Sequence, residues 1–275
     1  MKRHPRLSYL LACAMLLGGC GGGGNSASNF EIGRTVTATI VSAQAGTAYD
    51  LQIYLPPGYD GSGKSYPVIY AMDGHNTESY SRFAVLRDIL IGRNYRNVIL
   101  VAVDSINGVR RYADFAMPGA QAYYRFLTTE LIPMIDAQYR TDPRNRTLSG
   151  HSLSAEFTLF ALYLEQPDRR FFSAFMSADC TCWATSEFAL MPAWDVPIAM
   201  EQQMFERSRS LPVKLAMSGD TSGNLSRATD VYQRITQHGY TDLQAEIRAY
   251  SQGHVPMDGP AFIDALAFVF GPPPP

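Results

Sequence analysis

Ser152 lies in a pattern that is typical of a catalytic nucleophile. The segment 150–154 reads Gly-His-Ser-Leu-Ser and stands between a predicted strand and a predicted helix. A nucleophile elbow needs this context, because a sharp strand-to-helix turn exposes the serine hydroxyl, and small residues two places before and after the serine let the backbone turn. Gly150 and Ser154 meet that need, although Ser154 replaces the usual glycine. We therefore predict that Ser152 attacks an acyl carbon.

A second segment, 219–223, also resembles an elbow and reads Gly-Asp-Thr-Ser-Gly. Its central residue is Thr221, and little chain follows it to supply both an acid and a base. The sequence therefore favours Ser152 over Thr221.

His254 is the histidine best placed to act as the base. It follows the last predicted strand, where the chain order nucleophile, acid, histidine requires it. His151 adjoins Ser152 on the sharp turn and is expected to point elsewhere, and His238 stands at the predicted end of a helix. On spacing alone, His254 could also be a loop histidine without a role.

Asp220 is the predicted acid. It stands at the end of the strand predicted at 212–218, upstream of His254. A carboxylate there would hold the imidazole in the correct tautomer and stabilise its charged form. Asp230 lies in the following helix and is more typical of a solvated side chain.

Strands that alternate with helices would position these residues. The N-terminal hairpin and the later apolar runs predict a mostly parallel sheet with an antiparallel start and helices on both faces, an α/β fold. The segment 179–211 is too short for a separate cap domain. Strands are predicted at 35–43, 47–55, 67–72, 97–103, 146–149, 171–178, 212–218 and 243–250, and helices at 80–91, 119–139, 155–164, 225–237 and 260–270.

Composition excludes several classes of protein. The chain has 275 residues, of which 46% are hydrophobic and 17% charged, with a formal net charge of −2. Such a chain can bury a sizeable core, and it lacks the basic footprint of a nucleic-acid-binding protein. We find no repeat of fixed period, which argues against solenoids and propellers.

The N-terminus has the pattern of an exported lipoprotein. A basic start precedes an apolar run at 7–17 and then Leu-Gly-Gly-Cys, which resembles the bacterial lipobox ending at Cys20. We predict a signal peptide at 1–19, a lipidated Cys20 with a tether to residue 34, and membrane anchoring at the periplasmic or outer-membrane face. An ordinary signal peptide with an incidental Cys20 is the alternative. The catalytic domain is predicted at 35–271, before a proline tail at 272–275.

Cys180 and Cys182 are the two remaining cysteines of the mature chain. A bridge across one residue would close a small ring, and no histidine stands near them to complete a metal site. We expect two free or strained thiols in a loop, and neither a metal nor an organic cofactor.

Four segments together resemble the Putative esterase family of α/β-hydrolases, in particular its siderophore-esterase-like branch. They are Tyr-Leu-Pro-Pro-Gly-Tyr at 54–59, Tyr-Pro-Val-Ile-Tyr-Ala-Met-Asp-Gly-His at 66–75, Phe-Leu-Thr-Thr-Glu-Leu-Ile-Pro at 126–133, and the nucleophile region 150–167. The resemblance implies an α/β-hydrolase fold over nearly the whole mature chain, and ester hydrolysis. The family often places its acid a residue or two beyond Asp220.

The oxyanion donors and the substrate contacts complete the predicted site. The backbone N–H of Leu153, directly after the nucleophile, is one expected donor. By resemblance, the N–H of His75 is the other. Loops that follow strand ends carry Arg111, Tyr112 and Trp183, which are candidate substrate-binding residues.

The sequence therefore predicts a lipid-anchored serine esterase that acts on a small-molecule ester. An acyltransferase that uses the same acyl-enzyme remains open, as does a non-catalytic surface lipoprotein that kept the fold.

Overall fold

A sheet of eight strands organises the described part of the chain. The computed structural model describes residues 32–74, 81–95, 97–105, 107–182 and 195–273. The strands are β1 (Arg34–Ser42), β2 (Thr47–Leu55), β3 (Tyr66–Ala71), β4 (Ile99–Val103), β5 (Thr141–His151), β6 (Ala174–Ala178), β7 (Lys214–Asp220) and β8 (Gln244–Tyr250). Their spatial order is β1-β2-β4-β3-β5-β6-β7-β8. Strand β2 is antiparallel to β1 and β4, and all other pairs are parallel, which confirms the predicted sheet.

The helices follow the predicted alternation with three additions. They are α1 (Tyr59–Ser62), α2 (Arg82–Gly92), α3 (Gly108–Phe115), α4 (Gly119–Phe126), α5 (Ile132–Gln138), α6 (Leu153–Leu164), α7 (Asp195–Arg207), α8 (Leu225–Gln237) and α9 (Asp258–Phe270). The long helix predicted at 119–139 is divided by a π-helical turn at Leu127–Leu131, just before Pro133. The sequence did not predict α1, α3 and α7. Within the described ranges, each helix is too short or too polar to cross a bilayer.

The parallel strands are buried on both faces, which explains their nearly continuous apolar sequence. Along β3, Val68 and Tyr70 face one cluster, which includes residues of α4, α6 and α8. Ile69 faces the other, which includes residues of α2 and α9. Helices therefore cover the sheet on two sides, as predicted.

Strand register brings several chain segments to one edge of the sheet. His151 at the end of β5 pairs with Ala178 at the end of β6, and Ala178 pairs with Ser218 in β7. Parallel strands all point the same way, so the residues after these positions emerge side by side at the carboxyl edge. Open α/β sheets bind their ligands at this edge.

Candidate active site

Ser152 occupies a strained turn between β5 and α6. Its φ of 62° and ψ of −121° lie outside the regions that side-chain-bearing residues prefer. The turn is closed by a hydrogen bond of 3.0 Å from the N–H of Ser152 to the carbonyl of Ala178. A Cβ at Gly150 would lie only 2.1 Å from the carbonyl oxygen of Ser154, so only glycine fits there. This is the backbone of a nucleophile elbow.

Ser154 closes the turn in a way that glycine could not. Its buried Oγ accepts a hydrogen bond from the N–H of His151 and donates one to the carbonyl of the same residue, both at 2.9 Å. The departure from the usual glycine therefore adds contacts within the elbow.

Asp179 lies beside His254. The Nδ1–H of His254 donates to Oδ2 of Asp179 at 2.5 Å, and the other carboxylate oxygen accepts from the backbone N–H of Asp220 at 2.7 Å. Asp179 is fully buried, whereas the side chain of His254 is 43% exposed. Burial alone would raise the pKa of Asp179, but the hydrogen bonds from His254 and Asp220 outweigh it and lower the pKa. The carboxylate is therefore charged and fixes the tautomer of His254.

Asp220 does not occupy the place that the sequence predicted for it. Its carboxylate accepts from the N–H of Gly253 at 2.7 Å, and from the N–H and Oγ of Ser222 at 2.9 and 2.5 Å. The hydrogen bond from the Ser222 hydroxyl is the main reason that the pKa of Asp220 lies below its usual value. Asp220 thus holds the loop that carries His254, and Asp179 contacts the imidazole. Sequence reasoning missed Asp179, although it directly follows the strand predicted at 171–178.

The ring of His151 points toward His254, in contrast to the sequence expectation. Its Nε2 lies 2.7 Å from the backbone carbonyl oxygen of His254, and the two rings are 4.5 Å apart at 38°. Burial lowers the pKa of His151, so the ring is neutral at neutral pH. Among the described residues, His151, Asp179 and His254 are also the group whose ligand atoms could hold a metal ion, since they lie within 4.8 Å of one another.

A cavity of about 280 Å³ opens over the elbow. Ser152 and His254 both line it. No hydrogen bond joins these two described side chains, and such contacts are often long before substrate binds. The lining residues are Asp73, Arg82, Arg111, His151, Ser152, His254 and Val255.

Two arginines that line this cavity form ion pairs and hydrogen bonds with the segments around it. Arg111 donates to both carboxylate oxygens of Asp73 at 2.8 Å, and its Nη2 lies 3.3 Å from the carbonyl oxygen of His151. The buried Arg82 pairs with Asp258 and donates to the carbonyl of Met72. Arg111 therefore lines the cavity where a substrate contact was predicted, but its guanidinium group is already paired with Asp73.

The remaining predicted contacts are only partly described. Tyr112 packs against the larger apolar cluster and does not line the cavity. His75, Trp183 and Cys20 lie outside the described residues.

Gly74, the residue before His75, is described. Its N–H donates to the carbonyl of Val103 at 2.9 Å, and a Cβ there would lie 2.7 Å from that of Ala102. Only glycine allows the loop to approach β4 so closely.

Cys180 and Cys182 form a disulfide, whereas the sequence predicted free or strained thiols. The two Cα atoms lie 4.9 Å apart, within the range that a disulfide spans. Between them, Oγ1 of Thr181 donates to the carboxylate of Glu156 in α6 at 2.5 Å. The segment after Asp179 is thereby attached to α6, the helix that follows Ser152.

Comparison with known proteins finds a family match and a curated relative. The model of the family described as Putative esterase matches residues 42–256. Ferri-bacillibactin esterase BesA of Bacillus subtilis is 23% identical over 285 residues, which cover 90% of this chain and 94% of BesA.

Solved structures share the fold at low sequence identity. An IroE-like serine hydrolase from Shewanella oneidensis superposes with a TM-score of 0.69 at 20% identity, and the match covers 85% of this chain and 79% of that one. The siderophore hydrolase EstA from Aspergillus nidulans gives a TM-score of 0.67 at 17% identity, with coverage of 85% and 93%. These likenesses identify an α/β-hydrolase fold.

Proposed function

The chain belongs to the Putative esterase family, and from this premise we propose that it is a serine esterase that works through an acyl-enzyme on Ser152. Family membership makes the protein a carboxylic ester hydrolase. One observation carries the finer proposal: a strained serine and a histidine line the same cavity, and a buried carboxylate holds that histidine by its Nδ1.

The roles follow from these contacts. Ser152 Oγ attacks the ester carbonyl carbon while Nε2 of His254 takes the hydroxyl proton, and the negative charge of Asp179 stabilises the resulting imidazolium. His254 then returns the proton to the leaving alcohol as the C–O bond breaks. A water molecule, activated by His254 in the same way, releases the acid and restores the serine.

The developing oxyanion needs donors in the same cavity. The N–H of Leu153 is one of the first N–H groups of α6, and such groups have no acceptor within their own helix. It directly follows Ser152, which is the place of an oxyanion donor in an elbow. We assign the second donor to the N–H of His75, which follows the close approach at Gly74.

The names of two relatives suggest where to look for the substrate. BesA is named for ferri-bacillibactin and EstA for siderophores, so siderophore esters are the first class to test.

We expect the kcat/KM for hydrolysis of a siderophore lactone to exceed the values for p-nitrophenyl esters and feruloyl esters. Product analysis with an added alcohol acceptor separates hydrolysis from acyl transfer. If no ester is hydrolysed and no fluorophosphonate probe labels the protein, the proposed function is wrong.

We also propose that the protein is an exported lipoprotein anchored through Cys20. The basic start, the apolar run and the Leu-Gly-Gly-Cys ending support this proposal. Cleavage before Cys20 would leave its thiol as the lipid acceptor, with a glycine-rich tether between the membrane and the catalytic domain.

Cys20→Ala is expected to abolish lipidation, because it removes the lipid acceptor. Mass spectrometry of the expressed protein should then show no lipid, and membrane fractions should lose the protein. The matched control is Cys13→Ala, which changes a cysteine inside the predicted signal peptide and should leave lipidation intact. A lipidated Cys20→Ala protein would refute the lipoprotein proposal.

A further inference from the structure

The residue before the nucleophile contacts the base directly. Nε2 of His151 lies 2.7 Å from the carbonyl oxygen of His254. A carbonyl oxygen can only accept, so this nitrogen carries the proton and donates it. We propose that His151 is a positioning residue that holds His254 over the cavity for proton transfer with Ser152, an inference that rests on the proposed function.

The base needs such support because it lies in a loop. His254 follows the end of β8, and its side chain is 43% exposed. Asp179 holds the imidazole and Asp220 holds the N–H of Gly253. The hydrogen bond from His151 holds the carbonyl of His254 itself, and the ring contact at 4.5 Å limits the rotation of the imidazole. Each contact restricts a different part of the loop.

The charge state of His151 suits this position. A cationic ring at this distance would oppose the positive charge that His254 takes up during proton transfer. Burial lowers the pKa of His151, although the carboxylate of Asp258 acts in the opposite direction and the positive charge of Arg82 acts with burial. The neutral ring therefore supports His254 without repelling the positive charge that His254 takes up.

The backbone of His151 is held independently of its ring. Ser154 Oγ bonds both its N–H and its carbonyl, strand pairing aligns it with Ala178, and Arg111 donates to its carbonyl. Replacing the imidazole should therefore remove the contacts with His254 and leave the elbow in place.

Two substitutions separate the hydrogen bond to the carbonyl of His254 from the packing of the two rings. His151→Phe keeps a ring beside His254 but removes the donor, and His151→Gln places a side-chain N–H where Nε2 was. We expect His151→Phe to lower kcat on the order of 10- to 100-fold, because small displacements of catalytic groups have effects of that size. KM should change by less than about twofold. His151→Gln should recover most of the lost kcat.

The matched control is His238→Phe. His238 also packs against an aromatic ring, that of Phe205, but it follows the far end of α8, about 20 Å along that helix from the site. The His238→Phe substitution should therefore leave kcat unchanged. Proton NMR adds a readout that a purely structural role would not move: the downfield Nδ1–H signal of His254 should broaden in His151→Phe and return in His151→Gln.

The outcomes distinguish the two proposals. The inference is overturned if wild-type protein hydrolyses esters while His151→Phe keeps its kcat, or if His151→Gln fails to recover activity. It is also overturned if the kcat loss merely follows a fall in melting temperature. Wild-type protein with neither hydrolysis nor probe labelling would overturn the proposed function, and this inference with it.

Discussion

Ser152→Ala is expected to lower kcat for ester hydrolysis by about six decades, the scale seen when a triad nucleophile is removed. Alanine fits the turn at φ 62° about as well as serine does, and the hydrogen bond from the N–H of residue 152 to Ala178 does not involve the side chain. The fold should therefore persist while attack on the carbonyl is lost. Steady-state kinetics, circular dichroism and fluorophosphonate labelling test this directly.

The matched control is Thr221→Ala, at the centre of the second glycine-flanked turn. Thr221 is exposed, and its backbone N–H donates to the carbonyl of Tyr250 whichever side chain it carries. Activity and labelling should stay at the wild-type level. If Ser152→Ala retains labelling and Thr221→Ala loses it, the nucleophile is Thr221.

Asp179→Asn is expected to reduce kcat by about four decades, as in strongly coupled triads. The carboxylate accepts two hydrogen bonds, from Nδ1 of His254 and from the N–H of Asp220. An amide has one accepting oxygen and one NH₂ group, so one of these donors would face another donor. Either His254 adopts the wrong tautomer or the contact with Asp220 is lost. KM should change little, because the effect is on proton transfer.

Two other aspartates serve as comparisons. Asp220→Asn weakens the loop that carries His254 but leaves the carboxylate beside the imidazole, so we expect a loss on the order of tenfold, roughly 1.4 kcal/mol. Asp230 is exposed on α8, and Asp230→Asn should have no effect. The assignment of the acid is wrong if Asp220→Asn is the crippled variant and Asp179→Asn is not.

The sequence by itself determined the parallel strands and the turn at Ser152, because both depend on residues that are close together in the chain. Short apolar runs marked the parallel strands, since strands buried on both faces must be apolar throughout. Gly150 and the small residue at 154 marked the turn at Ser152, because steric limits on a sharp turn can be read from residue size. Helices α1 and α3 were missed because they have only four and eight residues, too few to show a helical period. Helix α7 was missed because its apolar residues are only weakly segregated to one face.

The tertiary structure decided which carboxylate contacts the imidazole of His254. Asp179 and Asp220 both stand at strand ends between Ser152 and His254, so chain order allows either. The left-handed backbone at Asp179 and the pairing of β6 with β7 place its carboxylate at Nδ1 of His254, while Asp220 turns to Gly253.

The same holds for His151, whose neighbour in sequence is Ser152 but whose ring contacts His254, 103 residues away. The elbow and the loop after β8 meet only because parallel strands bring their carboxyl ends to one edge. Local pattern fixes which residues can lie at that edge. The distances between their side chains depend on strand register and backbone angles. Contacts between distant parts of the chain set these, so a local sequence pattern does not reveal them.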